Sequence, residues 1–200
     1  MQAMVTHNDP MAIASSIVVA YAVALLIRLD VRQLSNIGQK CLFCWELADS
    51  IAGIEDGCNY TSRKDAQSCS LAKRIRDDIP RFLRENRPPS EVQKDFWSGA
   101  YVLESLPFAL YCFLLSPGHF DQVIYSAVNE SKDSDTVAAM ACTFCGALNG
   151  LCVSMDRMKI TTDIDCEFSA IKKDVDYLDE LEFREELIDV ADRLLQKFCR

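Results

Sequence analysis

The chain has no basic excess: 21 Lys and Arg face 30 Asp and Glu, for a formal net charge of −9. That excludes nucleic acid as a general partner, because no surplus of cations exists to displace counterions from phosphates. One phosphorylated small molecule, held by backbone amides and a metal, remains compatible with it. Residues 1–10 contain Asp9 but no Lys or Arg, so they do not read as a secretory signal, which needs a cationic start. Strand-like alternation between turn signals is missing along the whole chain, and Val and Ile fall inside helical periods with Ala and Leu. The fold class read from this is all-α. There is no internal repeat and no low-complexity tract.

Cysteine is abundant, with 10 residues, but the context is wrong for an extracellular disulfide scaffold. Cys112, Cys142, Cys145 and Cys152 fall within apolar helical patterns, where reduced core thiols are ordinary. Two C-x-x-C pairs, Cys41/Cys44 and Cys142/Cys145, stand 97 residues apart, too far for a zinc ribbon, and neither follows a strand as a redox pair would. Met11 to Ile27 is a run of 17 residues without a charge, "MAIASSIVVAYAVALLI". Its length is at the bottom of the membrane-spanning range, and its interspersed Ala and Ser suit close helix packing, so it is expected to be a buried core helix, not a membrane span. Residues 1–200 are expected to form one cytoplasmic domain, a size that allows a core of ordinary extent.

Asn8-Asp9-Pro10 signals a helix start, and that helix is expected to run to about Asp30. "CLFCWELADSIAGI" has helical spacing and is expected to stop near Gly57, with residues 58–70 as a polar loop. "LAKRIRDDIPRFLREN" reads as an amphipathic helix broken at Pro80, and "RPPSE" as a turn. Further helices are expected from about Gly99 to Leu115, ended by Ser116-Pro117-Gly118, and from Thr136 to about Leu148. An acidic helix is expected from about Asp174 to Phe198, with Leu178, Leu181, Ile188, Ala191, Leu194 and Leu195 on its apolar face.

The stretch with the most chemistry is "SKDSDTV", residues 131–137, at the mouth of an apolar helix. An aspartate at a helix start accepts orphan N–H bonds and interacts well with the dipole, worth about 0.5–2 kcal/mol. That explains one aspartate better than two. Asp133, Asp135 and Thr136 put two carboxylates and a hydroxyl into one turn, all hard oxygen ligands suited to Mg²⁺, Mn²⁺ or Ca²⁺. The helix dipole opposes a cation there, so further carboxylates would have to come from elsewhere.

Three ordered blocks, "VTHNDPMAIASS" (5–16), "SGAYVLESLPFALYCFL" (98–114) and "AVNESKDSDTVAAMACTFCGALNG" (127–150), resemble the ADP-ribosylglycohydrolase family, also called ADP-ribosyl-acceptor hydrolases. The resemblance implies a compact orthogonal helical bundle that cleaves the glycosidic bond between ADP-ribose and a protein side chain, or a related ADP-ribose compound. It implies Mg²⁺ or Mn²⁺, two ions in the family, with Asp133, Asp135 and Thr136 as ligands. It places His7 against the nucleotide and Gly99, Ala100 and Tyr101 along the ADP-ribose site. The expected partners are ADP-ribose or an ADP-ribosylated protein.

Two departures from the family pattern carry consequences. Ser131 and Lys132 stand where the family has two glycines before its metal turn, so a positive charge and a stiffer backbone adjoin the proposed cation site. The family's earlier Gly-Asp and Thr-Asp-Asp-Thr-like segments, which supply the other metal ligands and the acid or base, have no counterpart here. The one pair of adjacent aspartates, Asp77-Asp78, sits in "RIRDDIPRF". The chain is therefore expected to match the C-terminal part of the family's domain. An apolar surface left uncovered in this way would favour self-association. The alternative is a catalytically inactive relative that binds ADP-ribose or a protein.

Overall fold

The computed structural model describes residues 2–56, 58–62 and 68–157, together with 185, 186, 189, 190, 192 and 193. By their internal contacts the residues divide into two compact units, Met1–Lys159 and Ile160–Arg200. The first contains α1 (Pro10–Leu26), α2 (Ile37–Asp49), α3 (Leu71–Lys73), α4 (Ile79–Arg84), α5 (Pro89–Phe96), α6 (Val102–Leu115), α7 (Phe120–Asn129) and α8 (Ser134–Arg157). The protein is all-α, as its sequence pattern indicates. In the second unit Glu185, Glu186, Asp189, Val190, Asp192 and Arg193 are helical, and Arg193 pairs with Asp189 one turn earlier. The six apolar positions expected for that helix lie outside the described residues.

α6 is the centre of the first unit. Leu103 to Leu114 are buried without a break, and α8, α5, α7, α1 and α4 pack around them. Each fully buried Leu or Phe there contributes about 1.5–3 kcal/mol by leaving water. α1 starts as the sequence indicates: the Asp9 carboxylate accepts the Met11 and Ala12 amides, and Pro10 opens the helix. It buries Met11, Ala14, Ser15, Val18, Ala22 and Leu26 toward the core. On its outer side Ser16, Ala20 and Ala24 form an exposed line one turn apart. Small side chains make that exposure cheap, which is how an uncharged helix can lie at the surface. No helix among the described residues is long and apolar enough to cross a membrane.

Other differences from the expected elements have local causes. Residues 58–70 are not all loop, since Tyr60–Thr61 pairs antiparallel with Ser68–Cys69. "RPPSE" is not a plain turn: Pro88 is the N-cap of α5 and Pro89 occupies its first position, where a missing N–H costs nothing. α6 begins after Tyr101, leaving Gly99 and Ala100 outside the helix. α8 begins two residues earlier than expected and runs to Arg157, beyond the expected end at about Leu148.

Pro80 widens its helix instead of breaking it. Arg74–Asp78 form a π-turn between α3 and α4, a device that absorbs a missing hydrogen bond. A proline at 80 cannot donate to the Arg76 carbonyl four residues before it. The Trp45 indole Nε1 donates to that carbonyl instead, at 3.1 Å. Pro107 inside α6 orphans the Leu103 carbonyl by the same arithmetic, and the Arg74 guanidinium donates there at 2.8 Å. Trp45→Phe is expected to cost about 1 kcal/mol in urea unfolding, the usual net value of one hydrogen bond. In a Pro80→Ala background, where an amide can refill the carbonyl, the same change should cost clearly less. Equal costs in both backgrounds would show that the indole bond contributes nothing.

Candidate functional site

The turn at 131–136 is held by a neighbour far away in sequence. Ser98 is fully buried, and its carbonyl accepts the Lys132 amide at 3.2 Å and the Asp133 amide at 3.1 Å. Its hydroxyl oxygen accepts the Lys132 amide as well, at 3.2 Å. Ser98 can present this carbonyl because α5 ends in a left-handed step: Trp97 has φ 69° and Ser98 has φ 34°. Neither residue is a glycine, and each such conformation costs about 1–3 kcal/mol unless its surroundings enforce it. Trp97 still closes α5, with its amide donating to the Gln93 carbonyl at 2.7 Å.

On this support the three oxygen-bearing side chains of the turn meet. Asp133 caps α8 through its backbone, its carbonyl taking the Val137 amide at 3.0 Å. Its carboxyl lies near enough to Asp135 and Thr136 for each to shift its protonation. A pure cap would bond one aspartate to amides two or three residues on and leave the other in bulk water. In this turn the two carboxyls and the hydroxyl instead lie close enough to perturb one another. Asp135 and Thr136 are exposed and Asp133 is half-buried, so the group is open to solvent.

The contact separates the two acids electrically. Partial desolvation, then the neighbouring Asp135, raises the Asp133 carboxyl above its ordinary value of 3.8, while the hydrogen bond from Asp133 lowers Asp135. The folded state therefore holds a proton on Asp133 more tightly than the unfolded chain does. That part of stability falls as pH rises through the window above 3.8. For Asp135 the sign is opposite: its contribution is complete above 3.8 and is lost as pH falls below it. Carbon-detected NMR titration should give a midpoint above the free-aspartate value for Asp133 and one below it for Asp135. Asp135→Asn should move the Asp133 midpoint part of the way back, and two unshifted curves would mean the carboxyls are apart in solution.

Lys132 does not neutralise this group. Its ammonium sits over the Trp97 ring, 2.8 Å from the centroid, and not in an ion pair with either aspartate. Gly99, Ala100 and Tyr101 follow Ser98 along the chain, and Tyr101 becomes the N-cap of α6. His7 lies ahead of α1 in an exposed turn, its ring 2.9 Å from the Thr6 hydroxyl. Among the described residues it makes no hydrogen bond to the 133–136 turn. Asp77 and Asp78 belong to the π-turn, where Asp78 pairs with Arg81 at 3.0 Å.

Two carboxylates and a hydroxyl suit a single hydrated Mg²⁺ or Mn²⁺, which keeps most of its waters when bound by one or two carboxylates. Among the described residues no group of three or more His, Cys, Asp or Glu gathers here or elsewhere to hold a metal. The described side chains of the turn therefore suit one ion and not a pair.

The residues that sequence reasoning missed are those behind the turn: Trp97, Ser98 and Glu104. Glu104 did leave a signal, being the one charged residue in the 14 of α6.

A helical scaffold carrying an exposed hard-oxygen turn beside a strained backbone step defines an all-α protein with a candidate polar site. Its sequence matches the ADP-ribosylglycohydrolase family over residues 1–200, and the chain belongs to that family. Membership supports an ADP-ribosyl hydrolase-like function. No solved structure matches the chain.

Proposed function

We propose that this protein acts on ADP-ribose joined to a protein side chain, or on a related ADP-ribose compound, as a divalent-metal-dependent glycosidic hydrolase. Supporting this reading is the closeness of Asp133, Asp135 and Thr136 in a turn that the Ser98 carbonyl holds. In it, Asp133, Asp135 and Thr136 hold one hydrated Mg²⁺ or Mn²⁺, which would polarise ribose hydroxyls and orient a water. Gly99, Ala100 and Tyr101 border the ADP-ribose, and His7 is assigned to its nucleotide end. Carboxylates stabilise positive charge as it develops at the anomeric carbon. Release of free ADP-ribose from ADP-ribosylated protein, followed by chromatography with Mg²⁺ or Mn²⁺ present, tests it. Release at the rate of the protein-free control would contradict it.

A second reading is favoured by one observation, that no third carboxylate joins the turn among the described residues. In that reading the chain binds ADP-ribose, or a protein that bears it, without cleaving it. Binding without release in the same experiment would select this alternative. Cys41, Cys44, Cys58, Cys69, Cys112, Cys142 and Cys145 are free thiols, which suits a reducing cytoplasm. Tyr21, Leu42 and Trp45 line a shallow apolar hollow, with Leu42 60% and Trp45 41% exposed. Such a surface supports self-association, which sedimentation velocity would register as mass rising with concentration.

A further inference from the structure

Behind the turn lies a carboxylate that no fold requirement explains. Glu104 is fully buried, and neither of its oxygens has a hydrogen-bond partner among the described residues. It stands third in α6, where a glutamate ordinarily reaches back to the N-cap amide. Instead it lies under Gly99: a Cβ built on that glycine would meet Glu104 Oε2 at 3.0 Å. A buried unpaired carboxylate is unfavourable, and an apolar residue of similar volume is commonly as good or better for stability. The dipole of α6 favours an acid in this turn, but that does not account for burial without a donor.

This anomaly adjoins another. Gly99 directly follows Trp97 and Ser98, the two non-glycine residues in left-handed conformation. Strained backbone and unsatisfied buried groups each call for an explanation, and both gather where function overrides stability. Here they share one consequence, because the strained step aims the Ser98 carbonyl at the Lys132 and Asp133 amides.

We propose that Glu104 is a positioning residue: packed beneath Gly99, it holds the Trp97–Ser98 step in its left-handed form and so fixes the turn that carries Asp133. Its importance for ligand binding rests on the reading of that turn as the site, but its effect on the turn does not. Gly99 belongs to the same device, since a side chain there would push against the carboxylate.

The test is residue-level amide exchange on the full chain, comparing wild type with Glu104→Gln, Glu104→Leu and Gly99→Ala. Glu104→Gln should keep or raise the thermal midpoint. It should lower protection of the Lys132 and Asp133 amides by at least about tenfold, a local opening, while amides inside α6 stay protected. Gly99→Ala should give the same selective loss. Unchanged protection at Lys132 and Asp133 in Glu104→Gln would overturn the proposal. So would a parallel loss along α6, which is what a merely structural residue produces. ADP-ribose titrated in the same samples separates the two claims. Absence of binding by wild type, with the amide effect intact, counts against the functional reading alone.

Discussion

Arg74→Met is expected to destabilise the fold by about 3 kcal/mol, the largest effect of any single change considered. Arg74 is only 4% exposed. Its guanidinium donates to the Leu103 carbonyl at 2.8 Å and the Phe96 carbonyl at 3.3 Å, and its Nε donates to the Cys69 sulfur at 2.9 Å. Its charge also lies over the Phe96 ring, 5.3 Å from the centroid. Methionine fills much of the volume but offers no donor, so both carbonyls would be buried unsatisfied at about 1–3 kcal/mol each. The Leu103 carbonyl has no other recourse within its helix, because Pro107 brings no N–H. Urea unfolding measures the loss, and a change below about 1 kcal/mol would show that these bonds are replaced by water or by repacking.

The second large effect is functional. Asp135→Ala is expected to abolish divalent-metal binding and to lower the thermal midpoint only slightly, because Asp135 is exposed and loses only local electrostatic support. In the wild type that binding should itself be weak, with a dissociation constant of about 10⁻³ M, the weak end for carboxylate sites. Two acids and a hydroxyl form few bonds to the ion, the α8 dipole opposes a cation, and Lys132 adds a positive charge nearby. Mn²⁺ titration followed by electron paramagnetic resonance reads this directly. If Asp135→Ala binds Mn²⁺ like the wild type, the ion goes elsewhere. If it binds none but also unfolds at a clearly lower temperature, Asp135 serves the start of α8 and not a ligand.

What could be read in advance followed the reach of the interactions. The start of α1 was legible because Asp9 caps amides two and three residues away and Pro10 has one comfortable place there. The end of α6 was legible in Ser116-Pro117-Gly118 for the same reason. Pro80 was misread because its outcome depends on Trp45, 35 residues earlier in the sequence, which supplies the donor that the proline removes. α5 was missed because "RPPSE" carries both a turn signal and a helix-start signal, and only the packing of Val92 and Phe96 into the core decides between them. At the site, Asp133, Asp135 and Thr136 could be singled out because one short turn contains all three. The support behind the turn could not be read, because a left-handed Trp97-Ser98 step leaves no mark in residue type. Its bond to Lys132 spans 34 positions.

The central proposal is that the 133–136 turn and the segment 98–101 form one ligand site, and calorimetry with ADP-ribose tests it most directly. ADP-ribose is titrated into the full chain with and without Mg²⁺, and then into Asp135→Ala under the same conditions. The account predicts saturable heat from the wild type in Mg²⁺, a weaker response without the ion, and none from an Asp135→Ala protein that remains folded. Equal binding by wild type and variant, or no binding by either at millimolar ADP-ribose, would contradict it.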